Sequence, residues 1–245
     1  MDRRAHRATR DVDLLGFGEP SEEHIRTIFE ALLTLDVPDD GVKFDIDTLS
    51  VGPIREDQAY GGLRAVFVAR ITSAKIELQV DIGFGDAITP EPEVLPYPGL
   101  LDFPAPQLRV YPRETVVAEK LEAMVQLGMT NSRMKDFYDV MLLARDFDFD
   151  GESLVEAIRA TFERRKTPLP EKLPVAIRPE FTEDSMKLAQ WQGFKRKADI
   201  QDADSLESVV RAVADFASQP LLQAHSGRTF GRSWRAGGPW TSEDT

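Results

Sequence analysis

The sequence predicts an α/β chain of the α+β kind, with a small mixed sheet over residues 1–112, a helical region over 113–222 and a disordered tail over 223–245. Three observations lead there. Short runs of alternating apolar and polar residues fill the chain as far as Phe84. Seven prolines (Pro90, Pro92, Pro96, Pro98, Pro104, Pro106 and Pro112) then interrupt any regular pattern. Beyond them apolar residues recur at helical spacing.

The first strand lies in "ATRDVDLLGFG", Ala8 to Gly18, whose Val12, Leu14 and Leu15 favour extended backbone. "SEEHIRTIFEALLTL" follows as a helix. Ser21 caps it, Glu22 and Glu23 suit its positive end, and Ile25, Ile28, Phe29 and Leu32 form the apolar stripe. "VKFDIDTLSV" alternates Val42, Phe44 and Ile46 against Lys43, Asp45 and Asp47, as a half-buried strand does. "GGLRAVFVARITSAKIELQVDIGFGD" reads as two strands around a turn near Thr72 and Ser73, with Ile76, Leu78, Val80 and Ile82 on the core face. The proline-rich stretch is expected to be an irregular crossing, since proline lacks a ladder donor and fixes φ. "ETVVAEKLEAMVQLG" is a helix stopped by Gly128, and "SRMKDFYDVMLLARDF" a second one capped by Asn131 or Ser132. Further helices are expected around Ser153–Arg165, Glu183–Lys197 and Ser205–Phe216. From His225 on, Gly, Ser, Arg and isolated Trp show no periodicity, which predicts the disordered tail.

Composition narrows the function. The 245 residues suit one large domain or two small ones, and 42% hydrophobic with 29% charged residues suits a globular, soluble chain. No apolar run is long enough to cross a bilayer, no signal peptide is expected, and no membrane partner is expected. Cysteine is absent, which excludes disulfides and thiolate metal sites and fits the cytoplasm. Three scattered histidines make zinc a poor candidate, so any metal would sit on oxygen ligands, as Mg²⁺ or Mn²⁺ does. A net charge of −12 argues against a uniformly basic nucleic-acid surface. It leaves room for a local groove built from Arg159, Arg164, Arg165 and Lys166, or from Lys187, Lys195, Arg196 and Lys197. The solvated-helix-face reading is preferred for both clusters.

Three constellations could carry chemistry. On a strand, Asp11 and Asp13 share a face roughly 7 Å apart. They form either a metal site or an exposed strand end. Asp81, at the end of an alternating strand before "GFGD", would add a third carboxylate able to hold Mg²⁺ against a triphosphate. Asp45 and Asp47 repeat the Asp-x-Asp pattern, with the solvent-face reading preferred there. Lys120 lies among Val116, Val117, Ala123 and Met124, so it either snorkels from the edge of the stripe or holds a charged partner such as a phosphate. In "RMKDFYDV", Lys135 and Asp139 can pair at i,i+4, while Asp136 could serve as a general base or as the anchor of Lys120.

In their order, "RATRDVDL", "LQVDIGFGD", "AEKLEAM" and "RMKDFYDV" resemble the nucleotidyltransferase AbiEii/AbiGii toxin family, a branch of the polymerase-β-like nucleotidyltransferase superfamily, over roughly residues 7–145. The resemblance implies a nucleotidyltransferase-like fold. It implies metal ligands Asp11, Asp13 and Asp81, a phosphate contact at Lys120, and active-site roles for Lys135 and Asp136 as well as Asp81 and Lys120. Arg7 and Thr9 match the Arg-x-Thr lead-in and would contact nucleotide. Two departures stand out. The family carries a Gly-Gly or Gly-Ser turn upstream of the aspartates to cradle the triphosphate, but the ten residues before Asp11 hold none. The expectation is either a start inside a longer gene or a lost phosphate loop. A basic residue expected seven positions after Lys120 is Leu127 here.

The function expected is Mg²⁺-dependent transfer of a nucleoside monophosphate from an NTP to a hydroxyl of tRNA or another cellular target. The chain would be the toxin of a toxin–antitoxin or phage-defence pair with a cognate antitoxin. Arg159, Arg164, Arg165 and Lys166 would meet the acceptor. Two rivals differ in kind: a weakened or inactive nucleotide- or partner-binding protein, and a nucleotidyltransferase acting on a small aminoglycoside-like molecule.

Overall fold

The computed structural model describes residues 11–54, 62–97, 104–200 and 204–242. The chain is a mixed α/β fold that divides into two compact units, Ala8–Asp86 and the chain from Ala87 onward.

The first unit holds β1 (Asp11–Gly16), α1 (Glu22–Leu33), β2 (Val42–Pro53), β3 (Leu63–Ile71) and β4 (Ala74–Phe84). The sheet order is β1-β4-β3-β2. β1 runs parallel to β4 and the other pairs are antiparallel, so the sheet is mixed, as the sequence predicts. Alternation sets the core: Leu63, Ala65, Phe67 and Ala69 of β3 are buried, as are Val80 and Ile82 of β4. Ser21 accepts a hydrogen bond from the His24 amide and caps α1, which drops Ile25 and Phe29 onto the sheet. Ile28 and Leu32, expected in the same stripe, are exposed, because only one edge of the helix meets the sheet. Ile76 is exposed for a similar reason, lying at the β3–β4 turn beyond the reach of the core cluster.

β2 departs from simple alternation. The pairing slips between Asp45 and Ser50, so Leu49 and Val51 enter the core while Phe44 and Ile46 stay exposed. Thr48 fills the irregularity: its hydroxyl accepts from the Val68 amide at 2.9 Å and donates to the Asp45 carbonyl at 2.6 Å. The slip and the bulge cannot be read from the strand's own sequence.

The second unit opens with a hairpin of β5 (Glu93–Pro96) and β6 (Gln107–Val110), so regular pairing exists inside the proline-rich stretch where an irregular crossing was expected. These are short strands paired on one side only, where proline is tolerated. Then follow α2 (Arg113–Leu127), α3 (Met134–Asp146), β7 (Phe149–Asp150), α4 (Gly151–Arg165), α5 (Pro179–Glu183), α6 (Ser185–Ala198) and α7 (Leu206–Ser226). α2 ends where predicted, at Gly128 with φ 49°. α2 packs on α4, and α7 on both α3 and α4, around Leu121, Phe137, Leu154, Ile158, Phe181, Trp191 and Phe216.

The C-terminal expectation is corrected. α7 continues ten residues past Phe216, and β8 (Arg232–Trp234) pairs with β7 on one side and with β9 (Trp240–Ser242) on the other. Phe230, Trp234 and Trp240 are buried in the unit's core, which is why the segment is ordered despite its composition. The Trp234 indole N–H donates to the Ala144 carbonyl at 2.6 Å, one of the carbonyls that the end of α3 leaves unpaired. Gly238, at φ 72°, lies so close to the Trp234 ring that a Cβ would sit 2.4 Å from it.

Candidate active site

The first set of polar groups belongs to the sheet of the first unit. Asp13 of β1 is paired in register with Asp81 of β4, and Asp81 with Arg64 of β3. Paired residues on neighbouring strands share a face, so the three form one row, opposite the face on which Val80 and Ile82 are buried. Arg64 grips Asp81 with both arms of its fork, Nε to Oδ1 at 2.7 Å and Nη2 to Oδ2 at 2.8 Å. Two residues back on the same face, the Gln79 amide lies against this pair; turned with its oxygen toward Arg64, it accepts from both guanidinium nitrogens at 3.2 Å. The Asp81 side chain is 15% exposed and that of Arg64 35%, so the pair is partly withdrawn from water. The backbone of Asp11 pairs with Gln79. Its side chain, and Arg7 and Thr9 entirely, lie outside the described residues.

Among the described residues no three His, Cys, Asp or Glu side chains are grouped to hold a metal. Asp13 and Asp81 together nevertheless form a hard-oxygen pair suited to Mg²⁺, which takes one or two carboxylates and completes its shell with water and substrate phosphate. Each carboxylate oxygen has two lone pairs, so the Arg64 contacts leave one on each oxygen of Asp81. Asp45, in the second Asp-x-Asp, is ion-paired to Arg70, in keeping with a structural role on the strand face.

The second set lies in the helical unit. Lys120 of α2 donates from Nζ to Asp136 Oδ1 and to Asp139 Oδ2, both at 3.0 Å. Asp136 is fully buried, and Arg133 stands 2.8 Å from its other oxygen as an ion pair without hydrogen-bond alignment. Burial lowers the proton affinity of the Lys120 ammonium, and the charges and hydrogen bonds of Asp136 and Asp139 more than reverse this. Its pKa ends above the ordinary lysine value. Asp136 and Asp139 are one turn apart on α3, which is what lets a single ammonium bridge them. Lys135, on the same helix, is exposed.

The basic cluster on α4 has a mixed fate. Arg165 pairs with buried Glu122 at 3.0 Å and approaches Glu119 at 3.7 Å. Arg159 donates to the carbonyls of Gln223, Ala224 and Arg228, and so caps the end of α7. Arg164 and Lys166 are exposed. In the other cluster Lys187 is buried, donating to the Asn131 carbonyl at 2.8 Å and to Gln190 at 3.2 Å.

Two participants went unrecognised in the sequence: Arg64, and Asp139 as a partner of Lys120. Arg64 had a faint signal, since "LRAVFVAR" places Arg64, Val66, Val68 and Arg70 on the face opposite the apolar one. Nothing local says which strand lies beside it. No helix among the described residues is long and apolar enough to cross a membrane.

None of the curated proteins matches this chain. Among solved structures, JHP933 from Helicobacter pylori is 14% identical, with a TM-score of 0.49 over 92% of this chain and 79% of that one. A second H. pylori protein, provisionally named a nucleotidyltransferase, is also 14% identical, with a TM-score of 0.47 over 92% of this chain and 81% of that one. The family model for the nucleotidyl transferase AbiEii toxin of type IV toxin–antitoxin systems matches residues 2–217, and the chain belongs to that family.

Proposed function

We propose that this chain is an active nucleotidyltransferase that moves a nucleoside monophosphate from an NTP onto a hydroxyl of tRNA or another cellular target. The observation that carries the reading is the pairing of Asp13 with Asp81 on adjacent parallel strands, which sets two carboxylates side by side on one face. In the reaction the acceptor oxygen bonds to the α-phosphorus, the bond from that phosphorus to the bridging oxygen breaks, and pyrophosphate leaves. The hydroxyl proton passes to a carboxylate or to water. Asp13 and Asp81, with Asp11 as a third candidate, would hold Mg²⁺ or Mn²⁺, which when bound offsets charge on the phosphoryl oxygens.

Lys120 is the phosphate contact in this reading. An ammonium has three N–H donors, and Asp136 and Asp139 take two, which leaves a third for a phosphate oxygen. Asp136, buried and bonded to Lys120, acts as its anchor. Exposed Lys135, with Arg7 and Thr9, contributes to nucleotide binding, and exposed Arg164 and Lys166 offer the acceptor its basic contacts. Membership in a toxin–antitoxin family implies a cognate antitoxin, and the proposed place of work is the cytoplasm.

Transfer from α-labelled NTPs to a panel of tRNAs and aminoglycoside-like compounds tests the proposal. Asp81→Asn and Lys120→Ala should each lower transfer at least about a hundredfold, in line with the loss of a charge-stabilising group. Unchanged transfer in folded variants would remove these residues from the site. NTP binding by calorimetry without transfer to any acceptor would instead favour a binding protein. That reading draws support from the grip of Arg64 on both oxygens of Asp81.

A further inference from the structure

Arg64 belongs to none of the motifs that mark the family resemblance, yet it makes the most directional contact in the carboxylate row. Its fork meets both oxygens of Asp81 at 2.7 and 2.8 Å, and the Gln79 amide lies against the same pair from the side. Asp13 flanks Asp81 on the next strand, so one carboxylate stands between another carboxylate and a fixed cation. A planar guanidinium bound through two hydrogen bonds stops a carboxylate from rotating, which a lysine's point charge cannot do. It also offsets the carboxylate's negative charge, at less than half exposure for both groups.

We infer that Arg64 is a positioning residue that fixes the orientation of Asp81 and sets how tightly the Asp13–Asp81 pair takes a divalent cation. This rests on the reading of that pair as metal ligands. With Arg64 in place the charge of Asp81 is offset, and the cation is held firmly only once a triphosphate adds its own oxygens. Without Arg64 the pair loses that counter-charge. It would then take the ion from solution but hold Asp81 loosely.

Mn²⁺ binding to the full chain, followed without nucleotide by calorimetry and by the electron spin resonance of the free ion, tests this against four proteins. They are the wild type, Asp81→Asn, Arg64→Gln and Arg64→Lys, each checked by thermal melting. Asp81→Asn should lose binding. Arg64→Gln should bind Mn²⁺ about tenfold tighter, as removal of one positive charge a few ångströms from a dication requires. Arg64→Lys keeps the charge but not the fork, so its Mn²⁺ affinity should stay within about threefold of wild type while label transfer falls about tenfold. Loss of binding in Asp81→Asn with unchanged or weaker binding in Arg64→Gln overturns the role of Arg64 and leaves the metal reading intact. Wild-type transfer by Arg64→Lys overturns the positioning role, and that variant serves if Arg64→Gln does not fold. Equal binding by wild type and Asp81→Asn overturns the metal reading, and this inference with it.

Discussion

At Lys120 burial disfavours the ammonium, while Asp136 and Asp139, each 3.0 Å from Nζ, restore and exceed what burial takes away. A lysine whose pKa is raised in the folded state contributes stability that is fully present below its unfolded pKa. That contribution is lost as pH rises through the folded value. Urea denaturation across alkaline pH should therefore show wild-type stability falling beyond the ordinary lysine range, and the fall should be smaller in Lys120→Met. At neutral pH that variant leaves buried Asp136 facing only Arg133 and should lose about 3 kcal/mol or more, the usual cost of breaking a buried pair from one side. Lys120→Met with Asp136→Asn should recover part of the loss, since the unpaired charge is then gone. That Lys120 could hold a charged partner was legible in the sequence, because a lysine among Val116, Val117, Ala123 and Met124 either snorkels outward or is paired. Its second partner was not. Spacing offers Asp139 to Lys135 on the same helix, and only the packing of α2 against α3 gives it to Lys120.

The elements that local pattern describes worst are those held by other elements. α7 carries Pro220 in its interior, which cannot donate to the carbonyl of Phe216 four residues back. The indole N–H of Trp240, on β9, takes that carbonyl at 2.7 Å. A strand of three residues has no periodicity to read, and a helix with an internal proline reads as a stop, so each feature hides the reason for the other. Trp240→Phe should cost about 2 kcal/mol, from the lost hydrogen bond and the smaller ring together. Pro220→Ala restores a helical donor to the same carbonyl. In the Trp240→Phe background it should recover about 1 kcal/mol more than it contributes in the wild type, as a double-mutant cycle of urea midpoints would show. Additive effects would mean that the carbonyl is satisfied independently of both groups.

On the scale of the whole chain, charge governs what can be bound. Strands, most helices and the mixed sheet were legible from alternation, helical spacing and caps. The row of Asp13, Asp81 and Arg64 was legible only in part, because it depends on β1 pairing with β4 across the intervening helix and strands, and register is a long-range choice. The same holds for the basic residues: nothing in "ERRK" tells that Arg165 turns inward to Glu122 while Arg164 and Lys166 face outward. A chain of net charge −12 repels RNA at long range, so tRNA must be met through a few local cations. If the exposed pair Arg164 and Lys166 supplies them, the slope of log affinity against log salt for tRNA should be small, about −2 or less in magnitude. Arg164→Gln and Lys166→Gln should each flatten it by about 0.7 to 0.9, while Arg159→Gln should alter stability and leave the slope alone. Fluorescence titrations of labelled tRNA between low and physiological salt would measure this. A slope that neither substitution moves would place the acceptor contacts elsewhere. Transfer to a cationic small molecule, rising as salt falls, would then fit the acidic chain better than RNA does.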